Sequence, residues 1–118
     1  MKEDNVLRDK SYAFALRMVK TYRYLADERH EYNLSKQLLR SGTSIGANVE
    51  EAVGGQSEKD FASKLAIAYK EARETHYWIR LLRDTEYLTP KQADSLLGDT
   101  DELLRILGTI LKTLKSRN

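Results

Sequence analysis

The chain has 118 residues, of which 41% are hydrophobic and 32% charged, with one proline and six glycines. This composition excludes a disordered chain, a collagen-like repeat and a proline-rich linker, and the length predicts one domain over residues 1–118. Twenty Lys and Arg against eighteen Asp and Glu leave a formal charge of +2, which is too small to indicate a nucleic-acid partner by itself.

The first predicted element is a helix over about residues 9–29, where apolar side chains recur every three or four positions. Its predicted core stripe consists of Tyr12, Leu16, Val19, Tyr22 and either Leu25 or Ala26. The second predicted helix covers about residues 33–53. Asn33 can cap its start, and the pair Gly54-Gly55 favours a tight turn after it.

The third and fourth predicted helices cover about residues 57–86 and 89–115. Ser57 followed by Asp60 is an acidic variant of the capping box, and Thr89 before Pro90 is typical of a helix start. The core stripe of the third helix is Phe61, Leu65, Ala68, Ala72, Thr75, Ile79 and Leu82. Long helices joined by short connections predict an all-α fold, an antiparallel up-down-up-down four-helix bundle.

The centre of the second predicted helix contains two glycines, Gly42 and Gly46, each of which costs about 1 kcal/mol relative to alanine in a helix. One interpretation is close helix packing with an internal polar network, in which a buried Asn48 fixes the register. The other is a groove for a ligand or partner lined by Ser44, Asn48 and Glu51, which share one helix face.

Several kinds of chemistry are not supported by the sequence. Residues 42–46 match the pattern G-x-S-x-G, but that motif needs a strand-to-helix turn and these residues lie within a helical pattern. The chain has no Glu-x-x-His pair of the di-iron bundles, no nucleotide-binding fingerprint and no cysteine for a thiolate site. We therefore predict no catalytic residue, no metal and no cofactor.

One flank of the third predicted helix is rich in arginine. At spacings of four and three it carries Tyr69, Arg73, His76, Arg80 and Arg83. Because guanidinium groups bind phosphate and aromatic rings stack on bases, this flank predicts contact with nucleic acid, which Lys112 and Lys115 near the C-terminus would extend. The alternative is a solvated flank whose arginines pair with acids such as Glu71, Glu74 or Asp84.

The opposite flank of the same helix is apolar, with Ile67, Trp78 and Leu81. An apolar arc this wide predicts a second burial partner beside the bundle core, and we expect it to be another copy of the chain. Assembly into a ring would bring together several copies of the arginine-rich flank, one from each subunit. The alternative is that Trp78 completes the core of its own bundle.

A short motif in the second predicted helix connects the chain with a known family. Ser44-Ile45-x-x-Asn48-Val49-x-Glu51 before a glycine turn resembles the bacterial four-helix-bundle family encoded in 23S rRNA intervening sequences, also called the S23 ribosomal protein family. The likeness extends from about Ser11 to Lys115. It also makes the chain distantly similar to the accessory variability determinant protein of retroelements.

The resemblance implies a homopentamer of bundles with a role in nucleic-acid binding and no enzyme activity. We therefore expect a non-enzymatic homo-oligomer, pentameric by resemblance, that binds RNA or a nucleoprotein. The alternative is a structural or adaptor module that docks a protein such as a polymerase. No apolar stretch follows residues 1–4, and no apolar run approaches the ~20 residues of a membrane span, so we expect a cytoplasmic protein without a membrane partner.

Overall fold

The computed structural model describes the backbone of residues 2–117 and the side chains of residues 6–117. Its four helices are α1 (Lys2–Asp27), α2 (Leu34–Val53), α3 (Glu58–Asp84) and α4 (Pro90–Ser116). Each helix packs against the next in chain order, and α4 returns to α1, which gives an elongated bundle of 47 × 21 × 20 Å. The predicted all-α four-helix bundle is therefore confirmed.

Helix α1 differs most from its prediction. It begins at Lys2 rather than near residue 9, and the added turns bring Leu7 into the core. The buried apolar residues of α1 are Leu7, Phe14, Met18 and Leu25. The predicted stripe is wrong at Tyr12 and Leu16, whose exposed fractions are 64% and 50%. Because α1 carries apolar side chains on all sides, periodicity alone does not select the face that its neighbours cover.

The start of α2 is stabilised by Glu31 rather than by the predicted cap residue Asn33. The Asn33 side chain forms no capping hydrogen bond. The buried Glu31 carboxylate instead accepts hydrogen bonds from the backbone N–H of Ser35 at 2.7 Å and of Asn33 at 3.3 Å. Glu31 therefore satisfies N–H groups that a helix start leaves without intrahelical partners.

The other helix boundaries lie within two residues of their predicted positions. Ser57 accepts a hydrogen bond from the Asp60 N–H at 3.0 Å, as predicted for the start of α3. At the start of α4, Thr89 and Gln92 exchange side-chain-to-backbone hydrogen bonds of 2.9 and 3.1 Å, which is a complete capping box, and Pro90 is the first helical residue.

Two loops meet at one end of the bundle. The Arg29 guanidinium donates hydrogen bonds to the carbonyl oxygens of Tyr87 at 3.0 Å and Glu86 at 3.1 Å, and it lies 5.5 Å from the centroid of the Tyr87 ring. His30 and Glu86 both have left-handed backbone conformations, with φ of 56° and 67°. The α1–α2 loop is thus joined directly to the α3–α4 loop.

The glycines at the centre of α2 allow α1 to approach closely. A Cβ atom at position 42 would overlap the Met18 side chain, and one at position 46 would lie 3.2 Å from the Ser11 carbonyl oxygen. The close-packing interpretation of Gly42 and Gly46 is therefore confirmed. On the other side of α2, the hydroxyl oxygens of Ser41 and Thr75 are buried and lie 2.9 Å apart, forming a polar contact between α2 and α3.

Candidate nucleic-acid interface

The arginine-rich flank of α3 borders the seam between α3 and α4. The buried residues of α3 include Leu65, Ala72 and Ile79, and residues 73, 76 and 80 lie beside this stripe, on the side that faces α4. There Arg73, His76 and Arg80 line a shallow depression together with Leu104 of α4. We term these four residues the basic surface.

His76 links the two helices at the basic surface. Its Nε2 atom lies 3.2 Å from Oδ1 of Asp101 on α4, and its Nδ1 atom accepts a hydrogen bond of 3.0 Å from Nε of Arg80. Since Arg80 can only donate, the proton of a neutral His76 lies on Nε2 and points to Asp101. Arg80 is thereby held through Nε, while its two terminal nitrogens can bind a further acceptor.

Arg73 has no acidic partner among the described side chains. Its own side chain is exposed. The adjacent acids Glu71 and Glu74 instead pair with Arg40 of α2. The guanidinium groups of Arg73 and Arg80 are therefore both able to contact phosphate oxygens.

Arg83 differs from the other predicted arginines because it is already paired. Its Nε atom donates to Oδ1 of Asp84 at 2.8 Å, and Nη2 lies 3.4 Å from the other carboxylate oxygen. This hydrogen bond raises the pKa of Arg83, and the Arg83 guanidinium lowers the pKa of Asp84. The charge of Arg83 is compensated locally, as the salt-bridge interpretation predicts for this one residue.

The remaining predicted contact residues lie farther along the same seam. Tyr69 is half-buried, and its ring lies against Gly108 of α4. Lys112 and Lys115 are exposed and follow Gly108 by four and seven positions, on the same side of α4. The structure thus brings Arg73, His76 and Arg80 together and places the two lysines nearer the end of the bundle.

Tyr77 is a candidate contact residue that the sequence prediction missed. Its side chain is 48% exposed and lies between Arg73 and Arg80 in sequence, at spacings of four and three. The Tyr77 ring contacts Trp78 edge-on, with centroids 5.0 Å apart, and the Arg80 guanidinium lies 5.9 Å from its centroid. The exposed aromatic ring of this flank is therefore Tyr77 rather than the half-buried Tyr69.

The fold and sequence match a family of known structure. The sequence model of the 23S rRNA-intervening sequence protein family matches residues 3–109. The chain belongs to this family. No protein of curated function matches it. A protein of unknown function from the S23 ribosomal protein family of Bacteroides thetaiotaomicron VPI-5482 is 52% identical in its 1.70 Å crystal structure. The match covers 93% of this chain and 98% of that one, with a TM-score of 0.92.

The residues of the family motif in α2 make local contacts, in the core, within α2 and with α3. Ile45 is buried in the core. Asn48 is half-buried, and its Nδ2 donates within α2 to the carbonyl oxygen of Ser44 at 2.9 Å and to its hydroxyl at 3.1 Å. Glu51 pairs with Lys64 of α3 at 3.0 Å. The interpretation in which a buried Asn48 fixes the register is wrong, because Asn48 is only half-buried and its side chain bonds within its own helix. The buried polar contact between α2 and α3 is formed by Ser41 and Thr75.

The predicted subunit-contact residues of this family member lie on the outer face of α3. Ile67 is 40% exposed, and Leu81 is half-buried. Trp78 is also half-buried: it packs against the core, and its indole N–H donates to Glu74 at 3.3 Å. Tyr12 and Leu16 of α1 form a second exposed apolar surface, which was not predicted.

Neither a membrane span nor a metal cluster is present in the part of the chain that the structure describes. No helix there is long and apolar enough to cross a bilayer. No three His, Asp or Glu side chains among the described residues are grouped so as to hold a metal ion.

Proposed function

We propose that this protein is a non-enzymatic, self-associating helical bundle that binds RNA through the basic surface. The observation that supports RNA binding is the presentation of two guanidinium groups, those of Arg73 and Arg80, on one exposed face of α3. Contacts with phosphates supply most of the sequence-independent affinity for nucleic acid. Asp101 of α4 is engaged by His76, which reduces its competition for the arginines.

Self-association is supported by two apolar surfaces on different helices, in which Ile67, Tyr12 and Leu16 are exposed and Trp78 and Leu81 are half-buried. Ile67, Trp78 and Leu81 lie on α3, and Tyr12 and Leu16 lie on α1. Among the described residues α1 and α3 have no close backbone contact, so the two surfaces are diagonal to each other in the bundle. Pairing of one surface with the other on the next copy is a head-to-tail contact, which closes into a ring when the rotation permits.

A ring would gather the basic surfaces of several near-neutral chains. A single chain has a formal charge of only +2, so its long-range attraction for RNA is weak. The family resemblance predicts five copies, which light scattering or native mass spectrometry measures directly. In the head-to-tail arrangement both apolar surfaces take part in every contact, so Leu16→Lys and Ile67→Lys should each dissociate the assembly.

RNA binding is tested by reversing two charges. Arg73→Glu combined with Arg80→Glu is expected to lower affinity for a single-stranded RNA at least tenfold in a low-salt shift assay, because two phosphate contacts become repulsive. The matched control is Lys20→Glu combined with Arg23→Glu, which makes the same charge change at exposed positions of α1. Equal affinity of both variants at unchanged oligomer mass would exclude the basic surface as the binding site.

A second candidate function is an adaptor that docks a protein, such as a polymerase, on α1. It is favoured by the exposure of Tyr12 and Leu16, two apolar side chains on the same face of α1. This function predicts that Leu16→Lys abolishes capture of the partner while the chain keeps its oligomeric state. If Leu16→Lys instead dissociates the assembly, α1 is a contact between copies.

A further inference from the structure

We propose that Tyr77 is a stacking platform for an unpaired base, so that the preferred ligand of the basic surface is single-stranded rather than duplex RNA. This inference rests on the proposed RNA-binding function and specifies its ligand. It begins from one observation: an aromatic side chain that is 48% exposed lies on α3 between two exposed arginines.

The spacing of the three side chains suits a single strand. Arg73 and Arg80 are seven residues apart, which at about 1.5 Å per residue is roughly 10 Å along the helix axis. The two guanidinium groups can therefore contact different phosphates of the same strand, with the Tyr77 ring between them. Proteins that bind single strands combine these same elements, a positive track for the backbone and aromatic rings for the bases.

The surroundings of Tyr77 keep its ring positioned and accessible. Trp78 supports it through an edge-on contact, with an angle of 71° between the ring planes. On another side the Arg80 guanidinium lies 5.9 Å from the ring centroid, close to the limit of about 6 Å for a cation–π contact. Such a contact is weak, so a base can replace it while Nε of Arg80 remains bound to His76.

A duplex would not use the ring in this way. Its bases are stacked on one another, and the deep, narrow major groove of A-form RNA does not admit side chains. A duplex can contact Arg73 and Arg80 only through phosphates, so it gains nothing from Tyr77. The difference in affinity between the two forms of RNA therefore reports the contribution of the ring.

The experiment uses the full chain and its own tryptophan as the probe. Trp78 is the only tryptophan, and its ring centroid is 5.0 Å from that of Tyr77, so a base stacked on Tyr77 should change its fluorescence. The ligands are a single-stranded RNA of about twelve nucleotides without self-complementarity and the duplex that it forms with its complement. Tyr77→Leu removes the ring, Tyr77→Phe retains it, and Tyr32→Leu changes another exposed tyrosine that lies away from α3.

We expect the parent, Tyr77→Phe and Tyr32→Leu to bind the single strand with similar affinity and about tenfold more tightly than the duplex. Tyr77→Leu should lose about tenfold in affinity for the single strand and little for the duplex. Circular dichroism confirms that the variants remain helical. Unchanged binding of the single strand by Tyr77→Leu overturns the inference, and so does a loss of affinity that is accompanied by a change of oligomer mass. If Arg73→Glu with Arg80→Glu still loses affinity in that case, the proposed function stands without the inference.

Discussion

Gly42 of α2 lies directly against the side chain of Met18 of α1. Gly42→Ala should therefore destabilise the protein. Overpacking costs about 1–3 kcal/mol, which exceeds the gain of about 1 kcal/mol from the helix propensity of alanine. The measurement is the free energy of unfolding in urea.

The control for this prediction is Gly98 of α4. A Cβ atom added at Gly98 would have no neighbouring atom within 4 Å. Gly98→Ala should raise the free energy of unfolding by up to about 1 kcal/mol, because only the propensity changes. If both substitutions stabilise the protein equally, Met18 adjusts freely and the close approach of α1 is not a constraint.

The contact between Ser41 and Thr75 predicts a coupled pair in the core. Thr75→Val should cost about 1–3 kcal/mol, because it leaves the buried Ser41 hydroxyl without its partner across the helix interface. Replacing both residues, as Ser41→Ala with Thr75→Val, should cost less than the sum of the single changes. A double-mutant cycle of unfolding free energies measures this coupling, and strict additivity would show that the two hydroxyls do not interact.

The buried carboxylate of Glu31 caps the start of α2 from outside the helix, two residues before the expected capping residue Asn33. Glu31→Ala should lower the free energy of unfolding by about 1–2 kcal/mol, because two backbone N–H groups at the start of α2 lose their acceptor. Asn33→Ala is the matched control and should change stability by less than about 0.5 kcal/mol. Both losses of stability are measured by thermal unfolding. If Asn33→Ala destabilises the protein more than Glu31→Ala does, Asn33 is the capping residue.

The pairing of Arg83 with Asp84 predicts that one arginine of the flank contributes little to RNA affinity. Arg83→Ala should have a much smaller effect than Arg73→Ala, because Arg83 must leave Asp84 before it can bind phosphate. Asp84→Asn should increase the affinity for RNA, because the released Arg83 adds about one phosphate contact. The logarithm of the binding constant should then fall more steeply with the logarithm of the salt concentration. An unchanged salt dependence in Asp84→Asn would show that Arg83 does not reach the RNA.

Most features that depend on a few adjacent residues could be predicted from the sequence, with the cap at Asn33 as the exception, whereas which face of a helix its neighbours cover was predicted less well. The caps at Ser57 and Thr89 are local motifs, and both have the predicted hydrogen bonds. The exposed face of α1 was mispredicted, because choosing between Tyr12 and Phe14 as core residues requires the position of α2.

The candidate site shows the same division. The spacing of Arg73, His76 and Arg80 was sufficient to place them on one flank of α3. Which of two tyrosines is exposed depends on the packing of α4, since Tyr69 lies against Gly108 and is half-buried while Tyr77 remains exposed. The engagement of Asp101 by His76 likewise arises only when α3 and α4 pack together.

The hydrogen bonds from Arg29 to the backbone of residues 86 and 87 have a dynamic consequence for one end of the molecule. Neither of the two connected loops can open alone without breaking these bonds. Their amide protons should therefore exchange with solvent as one cooperative unit, more slowly than those of the α2–α3 turn at the other end.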